Sequence, residues 1–180
     1  MPVSAQTAET IRSTLDATTS DQANGVAGLV FTAVDKNGKT LASHASGNVG
    51  LDSKKPMTME TVFWIASCTK MITGIACMQL VEAKKLALDD AKLVEHFCPE
   101  LKDMKVIDES GQLVERRGEI TLRMLLAHTA GFSYTFFNKK LRKWAMPAGL
   151  DEFSGDASDI LRSPLCNQPG ERWEYGVSSS

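Results

Sequence analysis

Ser67-Cys68-Thr69-Lys70 sets a hydroxyl and an amine three positions apart, and on a helix such residues project from one face about one turn apart. A serine hydroxyl becomes a competent nucleophile when a neighbour takes its proton, and a lysine in apolar surroundings loses its charge readily enough to do so at neutral pH. The positive end of a helix helps twice: it disfavours a protonated amine, and its free amides stabilise negative charge developing on oxygen. The chemistry open to this pair is acyl transfer through an acyl-serine. Spacing alone does not single it out, because 15 serines and 13 lysines in 180 residues make about one Ser-x-x-Lys pair expected by chance. Placement at the opening of an apolar helix does. The plain alternative is a helix cap at Ser67 with Lys70 extending into solvent.

Tyr175 on its own reads as an aromatic packed beside Trp173. A phenol titrates near pH 10 in water, so it would act at neutral pH only with a cationic neighbour such as Lys70. Cys68 adjoins Ser67 and makes a cysteine hydrolase conceivable, but its side chain points about 100° around the helix, so the two cannot face one substrate. His44, His96 and His128 lie far apart and form no His-Glu-x-x-His or Cys/His ligand pattern, so neither a metal nor another cofactor is expected.

The elements that must position these residues follow from periodicity. Ala8, Ile11 and Leu15 have helical spacing within Thr7 to Ala17, opposite Glu9, Arg12 and Asp16. Gly25 to Val34 is a nearly continuous apolar run, and Asn37-Gly38 separates it from a second run, Lys39 to Ala45. This predicts a hairpin with a tight turn, its first strand covered on both faces. Ser67 to about Lys85 reads as a helix apolar around most of its girth, hence central and largely buried. Further helices are expected over Ala91 to Phe97, stopped by Pro99, and over Ile120 to Leu126, capped by Thr121 and closed by Gly131. Helical fragments are expected around Phe136 to Trp144 and Ala157 to Leu161.

The chain is 43% hydrophobic and 23% charged with a formal net charge of -2, the composition of an ordinary globular protein. Interspersed charges argue against a nucleic-acid or anionic-membrane partner; the one basic cluster, Lys139, Lys140, Arg142 and Lys143, reads as a solvated helix face. No apolar run approaches the ~20 residues of a membrane span, and the polar start from Met1 to Asp21 lacks the apolar core of a signal peptide. The expected compartment is cytoplasmic, with Cys68, Cys77, Cys98 and Cys166 reduced.

Trp64-Ile65-Ala66-Ser67-Cys68-Thr69-Lys70-Met71-Ile72-Thr73 resembles the nucleophile segment of the serine beta-lactamase and DD-peptidase superfamily, especially its esterase and acyltransferase branch. Ile120 to Tyr134 is similar to that branch's "ITLRHLLTHTSGLSY" signature, and Pro169-Gly170-Glu171-Arg172-Trp173-Glu174-Tyr175-Gly176 resembles the segment carrying its catalytic tyrosine. The three occur in the family's order across nearly the whole chain. The resemblance implies an α/β (α+β) beta-lactamase/transpeptidase-like fold, an antiparallel sheet flanked by helices plus a helical domain. It implies Ser67 as the acylated nucleophile, Lys70 as general base or its partner, and Tyr175 as the proton shuttle. His128 then falls in a structural turn. A small ester, thioester or acyl compound is the implied substrate.

Two departures from the family pattern matter. Beta-lactamases and DD-peptidases usually show Tyr-x-Asn, whereas the third residue here is Val177, which weakens a lactam reading and suits an ester or acyl chain. Ser178-Ser179-Ser180 replaces an acidic residue and an aromatic before a glycine, and the family's remaining core strands, one carrying a Lys-Thr-Gly-like or His-x-Gly segment, do not follow. The expected organisation is therefore residues 1–50 as helix and β-hairpin of the sheet domain and 51–180 as nucleophile helix and helical domain, apparently truncated before the C-terminal strands. Such a chain would be an impaired serine esterase or acyltransferase, with association through exposed apolar surface. The alternatives are a beta-lactamase or DD-peptidase-like hydrolase and a catalytically silent scaffold.

Overall fold

Residues 3–21 and 25–179 are described by the computed structural model, and the chain divides into two units, up to Trp64 and from Ile65 onward. Ser180 lies outside the described residues.

The first unit opens with helix α1, Ala5–Ser20, capped by Ser4, whose hydroxyl accepts from Thr7 N. Strands β1 (Gly28–Val34) and β2 (Thr40–Gly47) pair antiparallel, with Phe31 opposite His44. The turn is looser than the two-residue form that Asn37-Gly38 predicts. Only Gly38 of the pair takes a positive φ, of 80°, and Asp35 Oδ1 accepts from the amides of Asn37 at 2.8 Å and Lys39 at 3.0 Å, so an aspartate-capped loop closes the ribbon. Polar bonds fasten α1 to β2: Ser46 donates to Asp16 Oδ1 at 2.7 Å, His44 Nε2 meets the same oxygen at 2.7 Å, and the Thr19 and Ser46 hydroxyls lie 2.6 Å apart. Aspartate stands at the centre of this trio, so histidine does not activate the serine; the group is a fastening. The expectation that β1 is covered on both faces is not met. Thr32 and Val34 are exposed: among the described residues of this unit one helix packs on the two-stranded ribbon, and one helix covers one face.

In the second unit a short 3₁₀ turn, Ala66–Cys68, leads into α2, Thr69–Glu82. The nucleophile candidate therefore sits in the tighter turn ahead of the α-helix rather than at its first residue. Helices α3 (Ala91–Phe97), α4 (Leu122–Leu126), α5 (Lys139–Ala148) and α6 (Ala157–Leu161) follow. Asp90 caps α3 and Thr121 caps α4, each accepting from an amide three residues on. The positive φ that ends α4 belongs to His128 at 57°, not to Gly131, which takes φ 101° in the following turn. A small antiparallel pair, β3 (Val106–Ile107) with β4 (Leu113–Val114), has no counterpart in the sequence expectations; two-residue strands are too short to leave a periodicity. The core gathers Leu101, Val106, Ile120, Phe132, Tyr134 and Leu165. Within the basic cluster on α5, Lys140 turns inward to Glu109 at 2.8 Å and the Cys166 carbonyl at 3.3 Å.

Helix α2 contradicts its expected burial: it has no buried residue, and Met71, Ile72 and Ile75 are 68%, 57% and 54% exposed. Its all-round apolar sequence needs cover on more faces than the described residues supply. No helix among the described residues is long and apolar enough to cross a membrane.

Candidate active site

Ser67 lies exposed in the 3₁₀ turn. Ala66 before it holds φ at 44°, a left-handed conformation that costs an L-residue about 1–2 kcal/mol. That strain sharpens the turn into α2 and presents the hydroxyl at the helix N-terminus. Lys70, in the first turn of α2, is half-buried. Its Nζ donates to the phenolic oxygen of Tyr134 at 3.0 Å and lies 5.6 Å and 5.4 Å from the ring centroids of Tyr134 and Tyr175. The distance to Tyr175 lies within the range at which a ring face attracts a cation, whereas toward Tyr134 the amine sits beyond the hydroxyl. Lys70 and Tyr175, 105 positions apart in sequence, are thus brought together, and the amine points into the aromatic cluster rather than outward.

Three donors converge on the carboxylate next to Tyr175. Glu174 accepts from Ser133 Oγ at 2.6 Å, Asn138 Nδ2 at 2.9 Å and Asn167 Nδ2 at 2.7 Å. Burial pushes this carboxyl upward, but those hydrogen bonds and the nearby Arg172 outweigh it and leave the acid below its ordinary value. His128 Nδ1 accepts from Gly176 N at 3.3 Å and lies 3.1 Å from Ser178 Oγ, with its ring 4.6 Å from that of Tyr175. An amide donating to Nδ1 requires that nitrogen to be unprotonated. Burial first, then the charge of Lys70, lowers the imidazole's pKa accordingly. Gly176 permits the close approach, since a Cβ there would lie 2.7 Å from Ser133 N and Cα. His128 is a hydrogen-bonded turn residue beneath Tyr175.

Tyr134 and Glu174 were not singled out from sequence. Tyr134 ends the family-like segment starting at Ile120, and amid Phe132, Phe136 and Phe137 it reads as packing. Glu174 reads as a surface charge until its three donors are seen to converge. Val177, expected to suit an acyl chain, is 6% exposed and packs into the core. Cys68 is exposed. Among the described residues no group of three or more His, Cys, Asp or Glu could hold a metal ion.

A family model described as Beta-lactamase matches residues 11–179. A monacolin J acid methylbutanoyltransferase of Aspergillus terreus is 38% identical over 131 residues, 68% of this chain and 31% of the relative. A lovastatin esterase of Penicillium rubens is 35% identical over 158 residues, 83% of this chain and 39% of the relative. Among solved structures, unliganded simvastatin synthase from Aspergillus terreus superposes with a TM-score of 0.75 at 31% identity, covering 97% of this chain and 46% of that one. The chain thus spans about a third of the length of these curated relatives and under half of the solved structure.

Proposed function

Because the chain belongs to the beta-lactamase family, we propose that the protein is a serine esterase or acyltransferase working through an acyl-serine on a small ester, thioester or other acyl donor. Ser67 Oγ attacks the acyl carbon while its proton passes to the Lys70–Tyr175 pair. Tyr175 then delivers a proton to the departing alcohol or thiol. Water or an acceptor alcohol releases the acyl group by the same steps reversed. The amides at the helix N-terminus oppose the oxyanion charge. The carrying observation is the amine of Lys70 lodged between two phenols, with Nζ 5.4 Å from the Tyr175 ring, one turn beyond an exposed serine. Curated relatives named as a methylbutanoyltransferase and an esterase support the same chemistry. An ester or thioester is favoured over a lactam because the curated relatives are named as a methylbutanoyltransferase and an esterase. The cytosol is the proposed compartment, where the four thiols stay reduced.

Fluorophosphonate labelling tests the reading. One probe per chain should map to Ser67 by peptide mass spectrometry, and Ser67→Ala should abolish it. Lys70→Ala should slow labelling about 10²–10⁴-fold, the range for loss of a proton-transfer group. Labelling that persists in Ser67→Ala, or faster turnover of nitrocefin than of p-nitrophenyl butyrate by the parent, would overturn it.

A further inference from the structure

We propose that Tyr134 is a positioning residue for Lys70: its phenolic oxygen anchors the amine beside the Ser67 turn and leaves Tyr175 free to exchange protons with the substrate. This rests on the serine-acylation reading and adds to it a second phenol with a different task. The two tyrosines meet the amine differently. Tyr134 receives a directed hydrogen bond of 3.0 Å from Nζ, whereas Tyr175 presents a ring face 5.4 Å away. A ring face attracts a cation but constrains it little in direction; a hydrogen bond fixes both distance and angle. Lysine has a flexible four-carbon stem, so a reaction that needs its nitrogen at one place needs an anchor.

Tyr134 is built as one. It is 5% exposed, and its ring stacks on Phe136 at 4.9 Å and Phe153 at 5.9 Å. Its carbonyl accepts from the amides of Phe137 at 3.1 Å and Asn138 at 2.9 Å. Ser133, just before it, is tied to Glu174, so the network that holds the Tyr175 segment also fixes the backbone of Tyr134. Anchor and shuttle are set by one frame, and their separation, 5.8 Å between ring centroids, follows from it.

The test is trace acetylation with acetic anhydride, reading the rate at Lys70 by peptide mass spectrometry against exposed Lys36 in the same sample. Tyr134→Phe keeps the stacked ring and removes the hydroxyl, and an unchanged far-ultraviolet dichroism spectrum with a sharp urea transition verifies that its fold is retained. It should raise Lys70 acetylation about fivefold, the factor that loss of one ordinary hydrogen bond gives, while Tyr175→Phe leaves the rate within about twofold. Fluorophosphonate labelling of Ser67 in Tyr134→Phe should be slower, with a displaced pH–rate profile. Equal Lys70 acetylation in parent and Tyr134→Phe, or an increase in Tyr175→Phe alone, overturns the proposal. If acetylation responds as expected while the parent's Ser67 stays unlabelled, the anchor stands and the serine-acylation reading fails.

Discussion

Glu174 is the side chain on which most of the site's geometry converges, since it joins Ser133, Asn138 and Asn167 to the residue before Tyr175. An ionised carboxylate accepts at both oxygens and donates nothing. Glu174→Gln turns an amide NH₂ against donors that need an acceptor, and leaving such groups unmet costs about 1–3 kcal/mol. We expect the urea midpoint of Glu174→Gln to fall accordingly at pH 7, with loosened geometry at Tyr175 slowing Ser67 labelling. The pH dependence follows from linkage. A carboxyl whose folded pKa lies below its unfolded value, near 4.5, adds stability that is fully present above that value and is lost as pH falls through the folded one. The difference between parent and variant should therefore narrow below about pH 4.5; a constant difference from pH 7 to pH 3 would show that the carboxylate charge is not what the network uses.

At the scale of elements, the site depends on turns where a side chain does not fit. Gly131 holds φ at 101°, a Cβ there would fall 2.2 Å from the Asn167 carbonyl, and its own carbonyl accepts from Cys166 N at 2.7 Å. Gly131→Ala adds left-handed strain of about 1–2 kcal/mol to overpacking of about 1–3 kcal/mol, so its denaturation midpoint should fall several times further than that of Thr121→Ala, a lost cap worth about 1 kcal/mol. Equal losses in the two variants would refute this account of the turn. Elements of this kind also show where sequence stops being legible. α3 and α4 could be read because stops and caps are local: Pro99 and Thr121 act within a turn of themselves. Family-like segments single out Ser67, Lys70 and Tyr175 as candidates, and the structure brings the last two together. The Lys70–Tyr134 bond and the three donors around Glu174 could not be read, since each spans 7 to 64 positions and leaves no periodic trace. The exposure of α2 departs from its sequence for a related reason: an apolar helix encodes its need for cover, not the presence of the cover.

That unmet need sets the behaviour of the 180-residue chain. Along α2, Met71, Ile75 and Met78 line one shallow groove and Ile72 adds a neighbouring apolar face, all between 42% and 68% exposed. A separate cavity of about 600 Å³ is walled by Leu80, Leu86, Leu93, Phe97, Leu125 and Val177. Contiguous apolar surface on this scale drives association in water, because each buried Å² gains about 25 cal/mol. Expressed by itself, the chain should sediment as a mixture whose mean mass rises with concentration, and it should brighten an anilinonaphthalene dye. Ile72→Glu with Ile75→Lys places opposite charges on the exposed face without touching Lys70 or the core. Removing roughly 100 Å² of apolar contact at an interface is worth about 2.5 kcal/mol, so the double variant should need about 70-fold more protein to associate. A monomeric parent with no dye response would mean that α2 is already covered in solution; an unchanged association constant in the variant would move the interface to the Leu80–Val177 cavity instead.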